Sequence, residues 1–284
     1  MIMFREIGYE LLKMGSHKKS YIPIAGYLLF FVLCYIAFSK STNSLAAMLG
    51  GFEMDRTAAA KYLDGFFFAR ILLAPTFIIL MPIVMATIGG DCVAGEIQEG
   101  SLKLYMSRPR SRTQVILNKF CAIYICGLIY SILFSCVSFA AGYLLFGMAP
   151  VQVLLVPGQV FGSTVSVMSN SDAVIRYFTT ALYFSFSLST MGALALFFST
   201  VFNRMSSAAI AVITIYFVSY VLVSLPFGEW LRPWLISEIM NNAFLFWLPS
   251  LPTGKLCVNL ASLGLYISGF LLAAILTFNF KDIK

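Results

Sequence analysis

The sequence predicts an all-α membrane protein with six transmembrane helices, an N-terminal amphipathic interfacial helix and a short cytoplasmic helix between transmembrane helices 2 and 3. Composition is the first observation: 60% of the 284 residues are hydrophobic and only 11% are charged, whereas a soluble protein has about 25% charged residues. The second is a set of apolar runs long enough to cross a hydrocarbon core of about 30 Å. The third is helical spacing of apolar residues in two segments outside those runs.

Six apolar runs predict the transmembrane helices. They cover residues 21–38, 71–88, 121–146, 178–198, 208–225 and 258–278. None of these runs contains Asp, Glu, Lys, Arg or His. Ionisable residues at membrane depth are typical of proton relays and ion-coupled carriers, so their absence argues against a secondary transporter. It also argues against a membrane-embedded enzyme, which would need polar catalytic groups inside the bilayer.

The distribution of basic residues predicts the orientation. Twelve of the 19 Lys and Arg residues fall in segments on the side that carries both termini. Because Lys and Arg are retained on the cytoplasmic side, we predict a multi-pass protein of the cell membrane with both termini cytoplasmic. The net charge of +7 then reflects topology and anionic membrane lipids, and no nucleic acid is needed to explain it.

We predict a single domain over residues 1–284, because no hydrophilic stretch is long enough for a second one. It contains a cytoplasmic amphipathic segment at 1–20, a cytoplasmic loop at 89–119 and an extracytoplasmic loop at 226–256. The segment 1–20 has apolar residues on one helical face: Phe4, Ile7, Leu11 and Met14. Its charged residues are expected away from that face: Arg5, Glu6, Glu10 and Lys13. Such a helix can lie in the cytoplasmic membrane interface.

The loop 89–119 contains the stretch GEIQEGSLKLYMSRPRSR. After an expected helix break at Gly89 and Gly90, apolar residues recur on one helical face from Val93 onward, and charged residues recur on an adjacent face. This pattern predicts a helix over 93–106 that lies across the membrane surface, with its charged side toward the cytosol. Ser111 and Gln114 fit a capping box that begins the third transmembrane helix. An ordinary positive-inside loop is the alternative, but helical spacing and ordered caps favour a docking surface.

The motif D-x-x-A-G-E-x-x-x-G-[ST]-L at 91–102, followed by S-R-P-x-S-R at 107–112 and Lys119, resembles the second loop of ABC-2 type permeases. These are the six-helix membrane subunits of ABC exporters. The element E-L-x-K at 10–13 and the ending F-x-F-K-D-I at 278–283 are also similar to that family. The resemblance implies a permease that dimerises with itself or a related permease and sits on two cytosolic ATPase subunits. The segment 1–20 would be its elbow helix.

The resemblance also implies that the loop couples ATPase closure to the transmembrane helices. The residues assigned to this coupling are Asp91, Gly95, Glu96, Glu99, Gly100, Ser101, Lys103, Arg108, Arg110 and Arg112. The dense arginine run at 108–112 departs from the simpler apolar-polar step of the family. The mechanism implied is export by alternating access. A pathway without charges suits a hydrophobic or amphipathic substrate, such as a drug, a peptide or a lipid.

The chain contains no G-x-x-x-x-G-K-[ST] motif for nucleotide binding, so ATP and Mg²⁺ are expected on the partner subunit. We predict no cofactor, no metal and no catalytic residue in this chain. His17 is the only histidine, which excludes His-based zinc catalysis. The six cysteines form no C-x-x-C pair and indicate neither a disulfide framework nor a zinc site.

Pro75 and Pro82 predict a kink in the second transmembrane helix that frees backbone carbonyls toward a cavity. The candidate transport path is therefore Pro75, Pro82, Met81 and Met85. The two methionines could offer soft ligands to Cu(I), although core packing is the favoured role for Met.

In the loop 226–256, Trp230 and Trp234 are typical of an aromatic belt that anchors a protein at the membrane surface. Together with Glu229 and Glu238 they could alternatively form surface helices that gate the outer side. One alternative function stays open: a membrane scaffold or sensor would also use a docking loop to recruit a cytosolic protein, without transport.

Overall fold

In a computed structural model of the protein, residues 2–16, 18–40, 64–102, 111–149, 151–156, 164–225, 230–248 and 250–281 are described. Six helical segments are long and apolar enough to cross a membrane, and we number them as the first to sixth spans: Ile22–Lys40, Gly65–Gln98, Arg112–Phe146, Asn170–Val201, Met205–Val223 and Thr253–Phe280. The prediction of a helical protein with six spans is confirmed. Several helices extend beyond the apolar runs that predicted them.

The chain begins with α1 (Ile2–Ser16) and a 3-10 turn at Lys18–Tyr21, followed by α2 (Ile22–Lys40), which is the first span. The second span consists of α3 (Gly65–Pro75), a π-helical segment (Thr76–Leu80) and α4 (Met81–Gln98). The later spans are α5 (Arg112–Phe146), α6 (Asn170–Val201), α7 (Met205–Ser224) and α9 (Thr253–Phe280). Between α7 and α9 lie a 3-10 turn (Arg232–Trp234), α8 (Ile236–Asn241) and a second 3-10 segment (Asn242–Trp247).

The fourth span occupies the centre of the bundle. In the most apolar 18-residue stretch of this span, 78% of the residues are buried inside the protein, whereas the corresponding share is 17% in the first span and 11% in the sixth. Its buried positions include many small residues, such as Ala181, Gly192, Ala193 and Ala195. Small side chains let neighbouring helices approach closely, which is how helices in a membrane gain packing energy. The other spans are therefore arranged around α6.

The helix break expected at Gly89 and Gly90 is wrong, because α4 continues through both glycines to Gln98. A side chain at Gly89 would meet Ala195 of the fourth span, and one at Gly90 would meet the backbone of Ala209 in the fifth. The two glycines thus serve close packing on two sides of α4. The second span reaches the end of the bundle that also holds α1 and the last residues of α9, which we call the termini end.

The two prolines of the second span do interrupt its regular geometry, and the π-helical segment lies between them. Pro82 has no N–H, so the carbonyl of Ile78 loses the partner that it would have in an α-helix. The hydroxyl of Tyr216, on the fifth span, donates a hydrogen bond to this carbonyl at 2.6 Å. The freed carbonyl is therefore satisfied by a neighbouring span instead of facing a cavity.

A small β-hairpin, which the sequence analysis did not predict, lies between the third and fourth spans. Strands β1 (Val151–Val156) and β2 (Thr164–Ser169) pair antiparallel, with Val151 opposite Ser169. The hairpin lies at the end of the bundle opposite the termini end. At this end the segment 230–248 also packs on the bundle, through residues that are almost fully buried: Ile239, Met240, Ala243, Leu245 and Trp247.

Tyr216→Phe removes the hydroxyl that donates to the Ile78 carbonyl. We expect the free energy of unfolding to fall by about 1 kcal/mol, because a buried carbonyl is left unpaired and hydrogen bonds between membrane helices have this magnitude. Thermal unfolding of the detergent-solubilised protein measures the change. Tyr143→Phe, at an exposed tyrosine, is the control and should have no effect. Equal stability of Tyr216→Phe and the unaltered protein would contradict the assignment.

Candidate functional site

The termini end contains a buried ionic cluster centred on Lys119. Lys119 lies in the first turns of α5 and its side chain is fully buried. Its ammonium is 2.6 Å from Oε1 of Glu96 and 3.2 Å from Oε1 of Glu10. A buried charge is costly unless it is paired and hydrogen-bonded, so these three side chains depend on one another. The cluster joins α1, the end of the second span and the start of the third.

Two further polar contacts hold α1 in place. The ammonium of Lys13 is 2.5 Å from the same Glu96 oxygen that Lys119 binds. One turn before Glu10, the carboxylate of Glu6 accepts a hydrogen bond from the Asn118 side chain at 2.5 Å. The expectation that Glu10 faces away from the packing side of α1 is therefore wrong. Glu10 is only 5% exposed, because the surface on which α1 packs carries the Lys119 charge.

A cleft of about 70 Å³ opens beside this cluster. Three carboxylates line it, those of Glu10, Asp91 and Glu96, together with the ammonium of Lys13. Oε1 of Glu96 accepts hydrogen bonds from the ammonium groups of Lys13 and Lys119. The other carboxylate oxygen, Oε2, is buried and has no hydrogen-bond partner among the described residues. Glu96 therefore stands where α1, the second span and the third span meet.

The second span ends in a turn directly after Glu96. A side chain at Gly95 would collide with the carboxylate of Asp91, which folds over this position. The amide of Glu99 donates to the Gly95 carbonyl at 2.9 Å, and the amide of Gly100 donates to Ile97 at 3.1 Å. Gly100 has a φ of +72°, the left-handed conformation in which glycine ends helices. The chain thus leaves the helix at Glu99 and Gly100, ten residues after the expected break. The expectation of a separate surface helix over 93–106 is therefore wrong, because residues 93–98 are the last turns of the second span.

The residues predicted for coupling divide into two groups. Glu96 points into the bundle and is 4% exposed, while the turn formed by Glu99, Gly100 and Ser101 is exposed. The expectation that the charged residues of this loop face away from the bundle holds for Glu99 and is wrong for Glu96. Lys103, Arg108 and Arg110 lie outside the described residues, as does His17.

At the other end of the loop, the Ser111 half of the predicted capping box is confirmed. Ser111 precedes α5, and its hydroxyl accepts a hydrogen bond from the amide of Gln114 at 3.3 Å. Arg112, the first residue of α5, donates hydrogen bonds to carbonyls at the end of α9, beginning with Phe278 at 2.8 Å. Its guanidinium is therefore directed at the sixth span.

The residues proposed for the transport path lie within the packed core of the chain. Met81 and Met85 are fully buried, and Pro82 is buried beside them. The side chain of Met85 fills the space that a side chain would need at Gly127 and Gly192, on the third and fourth spans. Pro75 is partly buried at the end of α3. In the described chain, packing between spans accounts for the positions of both methionines.

The residues proposed for an outer gate differ in exposure. Trp230 and Trp234 are 75% and 70% exposed, whereas Glu238 is buried in α8. Burial raises the pKa of the Glu238 carboxyl. The positive charges of Lys255 and Arg232 lower this pKa, but the effect of burial is larger. Glu229 lies outside the described residues.

Two arginines that the sequence analysis assigned to no site hold this outer segment, and one of them is buried while the other is partly buried. Arg70, in the second span, is 5% exposed, and its guanidinium lies 4.2 Å from the ring centre of Trp247. Arg176, in the fourth span, donates hydrogen bonds to the carbonyls of Phe246 and Leu248. The available signal was position: both arginines stand at the edge of an apolar run.

Six apolar spans with both chain termini at one end define a multi-pass membrane protein. Residues 19–283 match the sequence model of a family described as "ABC-2 family transporter protein". Because the match covers most of the chain, the protein belongs to this family, whose members are permease subunits of ABC transporters. The family implies a transport subunit that associates with ABC ATPase subunits and has no ATPase activity of its own. A comparison with curated proteins found no match.

Lys119→Met leaves the carboxylates of Glu10 and Glu96 buried without their shared cation. We expect the free energy of unfolding to fall by about 3 to 5 kcal/mol, the cost of breaking a buried ion pair from one side. The triple variant Lys119→Met, Glu10→Gln, Glu96→Gln should recover most of this loss, because no uncompensated charge remains.

Chemical or thermal unfolding in detergent measures both variants of this series. Lys13→Met is the matched control, because Lys13 is 41% exposed and an exposed pair contributes less than about 1 kcal/mol. If Lys119→Met were as stable as the control, the buried cluster would not hold the three elements together.

Proposed function

We propose that the chain is the permease of an ATP-driven exporter of hydrophobic or amphipathic molecules, a class that includes drugs, peptides and lipids. The observation that carries this proposal is the family match together with the exposed turn at Glu99 and Gly100, which is connected to the buried ion cluster. A separate cytosolic subunit binds ATP and Mg²⁺. A second permease, identical or related, completes the pathway.

The termini end faces the cytosol in this proposal. The prevalence of Lys and Arg in the segments on this side supports that orientation. It places the loop between the second and third spans where a cytosolic ATPase can reach it. It places the hairpin and the segment 230–248 on the extracytoplasmic side, where exposed Trp230 and Trp234 suit an aromatic belt.

The ion cluster suggests how closure of the ATPase reaches the spans. A push on the exposed turn at Glu99 moves the end of α4, which carries Glu96. Glu96 is bonded to Lys119 on the third span and to Lys13 on α1, so these elements move with the second span. Such a movement of one group of helices against another is a recognised route to alternating access.

The distribution of buried polar groups supports an apolar or amphipathic substrate. In the described spans, the charged residues that are buried lie near the helix ends: Arg70, Glu96 and Lys119. The buried polar residues in the middle of the third and fourth spans carry hydroxyl groups: Ser131, Ser135, Ser185, Ser187, Ser189 and Thr190. A substrate with a full charge would find no counter-ion along such a route.

The complex extracted in mild detergent from its native membrane tests this proposal by intact-mass measurement, with every subunit identified. We expect two permease chains with two ATP-binding subunits, and ATP hydrolysis by the assembled complex. Recovery of this chain alone, or with a partner that binds no ATP, would contradict the proposal if other ABC transporters stay intact under the same conditions. That outcome would favour the membrane scaffold or sensor.

A further inference from the structure

The C-terminal end of the fourth span, residues 199–202, holds the second span by a side chain. The Ser199 hydroxyl is fully buried and donates a hydrogen bond to the Gly90 carbonyl at 2.7 Å. The same oxygen accepts from the amides of Val93 and Ala94, at 3.0 and 2.8 Å. Three bonds from one hydroxyl therefore fix a single helical turn of α4. This turn directly precedes Gly95 and Glu96.

A second set of contacts begins at the other end of the loop. Arg112 is the first helical residue after the loop, and one of its guanidinium nitrogens, Nη1, donates to three carbonyls at the end of α9. These are the carbonyls of Phe278, Asn279 and Lys281, at 2.8, 3.0 and 2.9 Å. The last carbonyls of a helix have no partner within it and attract cations. Arg112 thus ties the start of the third span to the end of the sixth.

Lys281 continues these contacts from the sixth span to the fourth. Its ammonium donates to the carbonyls of Thr200 and Phe202, at 2.7 and 3.4 Å, at the end of α6. The hydroxyls of Thr200 and Thr277 also share a hydrogen bond at 2.6 Å. At the end of α6, as at the end of α9, a basic side chain from another element therefore binds the last carbonyls of the helix.

We propose that residues 199–202 are the point at which movement of the loop enters the centre of the bundle. This inference rests on the proposed function, in which the loop receives the ATPase. Ser199, Arg112 and Lys281 act as positioning residues. Two series of contacts connect the loop to this helix end. The first joins α4 to Ser199, and the second joins Arg112 to the end of α9 and, through Lys281, to the end of α6. Because both ends of the loop are tied to the same helix end, a displaced loop moves the central fourth span together with the second and third.

Hydrogen exchange of the purified permease–ATPase complex tests this arrangement. The measurement compares the nucleotide-free complex with the complex trapped by ATP and vanadate. In the unaltered protein we expect trapping to change exchange in two places, at residues 95–102 and at residues 199–204. If the contacts of Ser199, Arg112 and Lys281 only stabilised the helix ends, the exchange change at 199–204 would not depend on them.

The variants are Ser199→Ala, Arg112→Gln and Lys281→Met, each accepted only if the complex stays intact. We expect each to retain the change at 95–102 and to reduce the change at 199–204 by about twofold or more, the scale of altered coupling through such contacts. Lys281→Met is the most distant from the loop and keeps the test open if another variant fails to fold. Arg204→Ala is the matched control, because Arg204 is exposed and its side chain makes no capping hydrogen bond.

The outcomes separate two failures. No nucleotide-dependent change at 95–102 in the unaltered complex would overturn the proposed function, and with it this inference. A normal change at 95–102 with none at 199–204, or a change at 199–204 that survives in all three variants, would overturn the inference alone.

Discussion

The ammonium of Lys119 is fully buried, and it can remain charged there only because carboxylates from two other elements reach it. Glu10 arrives from α1 and Glu96 from the end of the second span. Buried ion pairs add little net stability over apolar packing, since desolvation offsets their attraction, but they penalise every arrangement that separates the partners. The cluster therefore fixes where α1 docks and how far the second span extends.

The ends and the middle of the bundle are held by different forces. At the termini end, ions and capped helix ends join the elements through specific partners, as in the contacts of Lys119, Arg112 and Lys281. In the middle, glycines such as Gly127 and Gly192 leave room for the side chain of Met85, so that three spans pack closely. Contacts of the first kind transmit displacement with fixed partners, and contacts of the second kind permit small shifts between helices. This division suits a protein that is driven from one end.

The six spans could be predicted because composition alone decides whether a segment enters a bilayer. The end of the second span could not, because a glycine pair is equally compatible with a helix break and with close packing. The close approach of Ala195 and Ala209 to these glycines shows that they serve packing and do not break the helix. Likewise, Glu96 and Glu99 carry the same charge three residues apart, and only the buried Lys119 shows that Glu96 faces inward. The hairpin had a readable signal in its alternating, Val-rich strands, whereas the roles of Arg70 and Arg176 depend on tertiary contacts.

Site-specific photo-crosslinking from position 99 tests the central claim most directly, because Glu99 is the exposed charged residue next to the buried Glu96. A photoreactive amino acid at this position, activated in native membranes, should crosslink to an ATP-binding subunit. The same group at position 144, where Leu144 is 79% exposed near the opposite end of the third span, should not. A crosslink from position 99 to a protein that binds no ATP, or none at all while the complex is intact, would contradict the account.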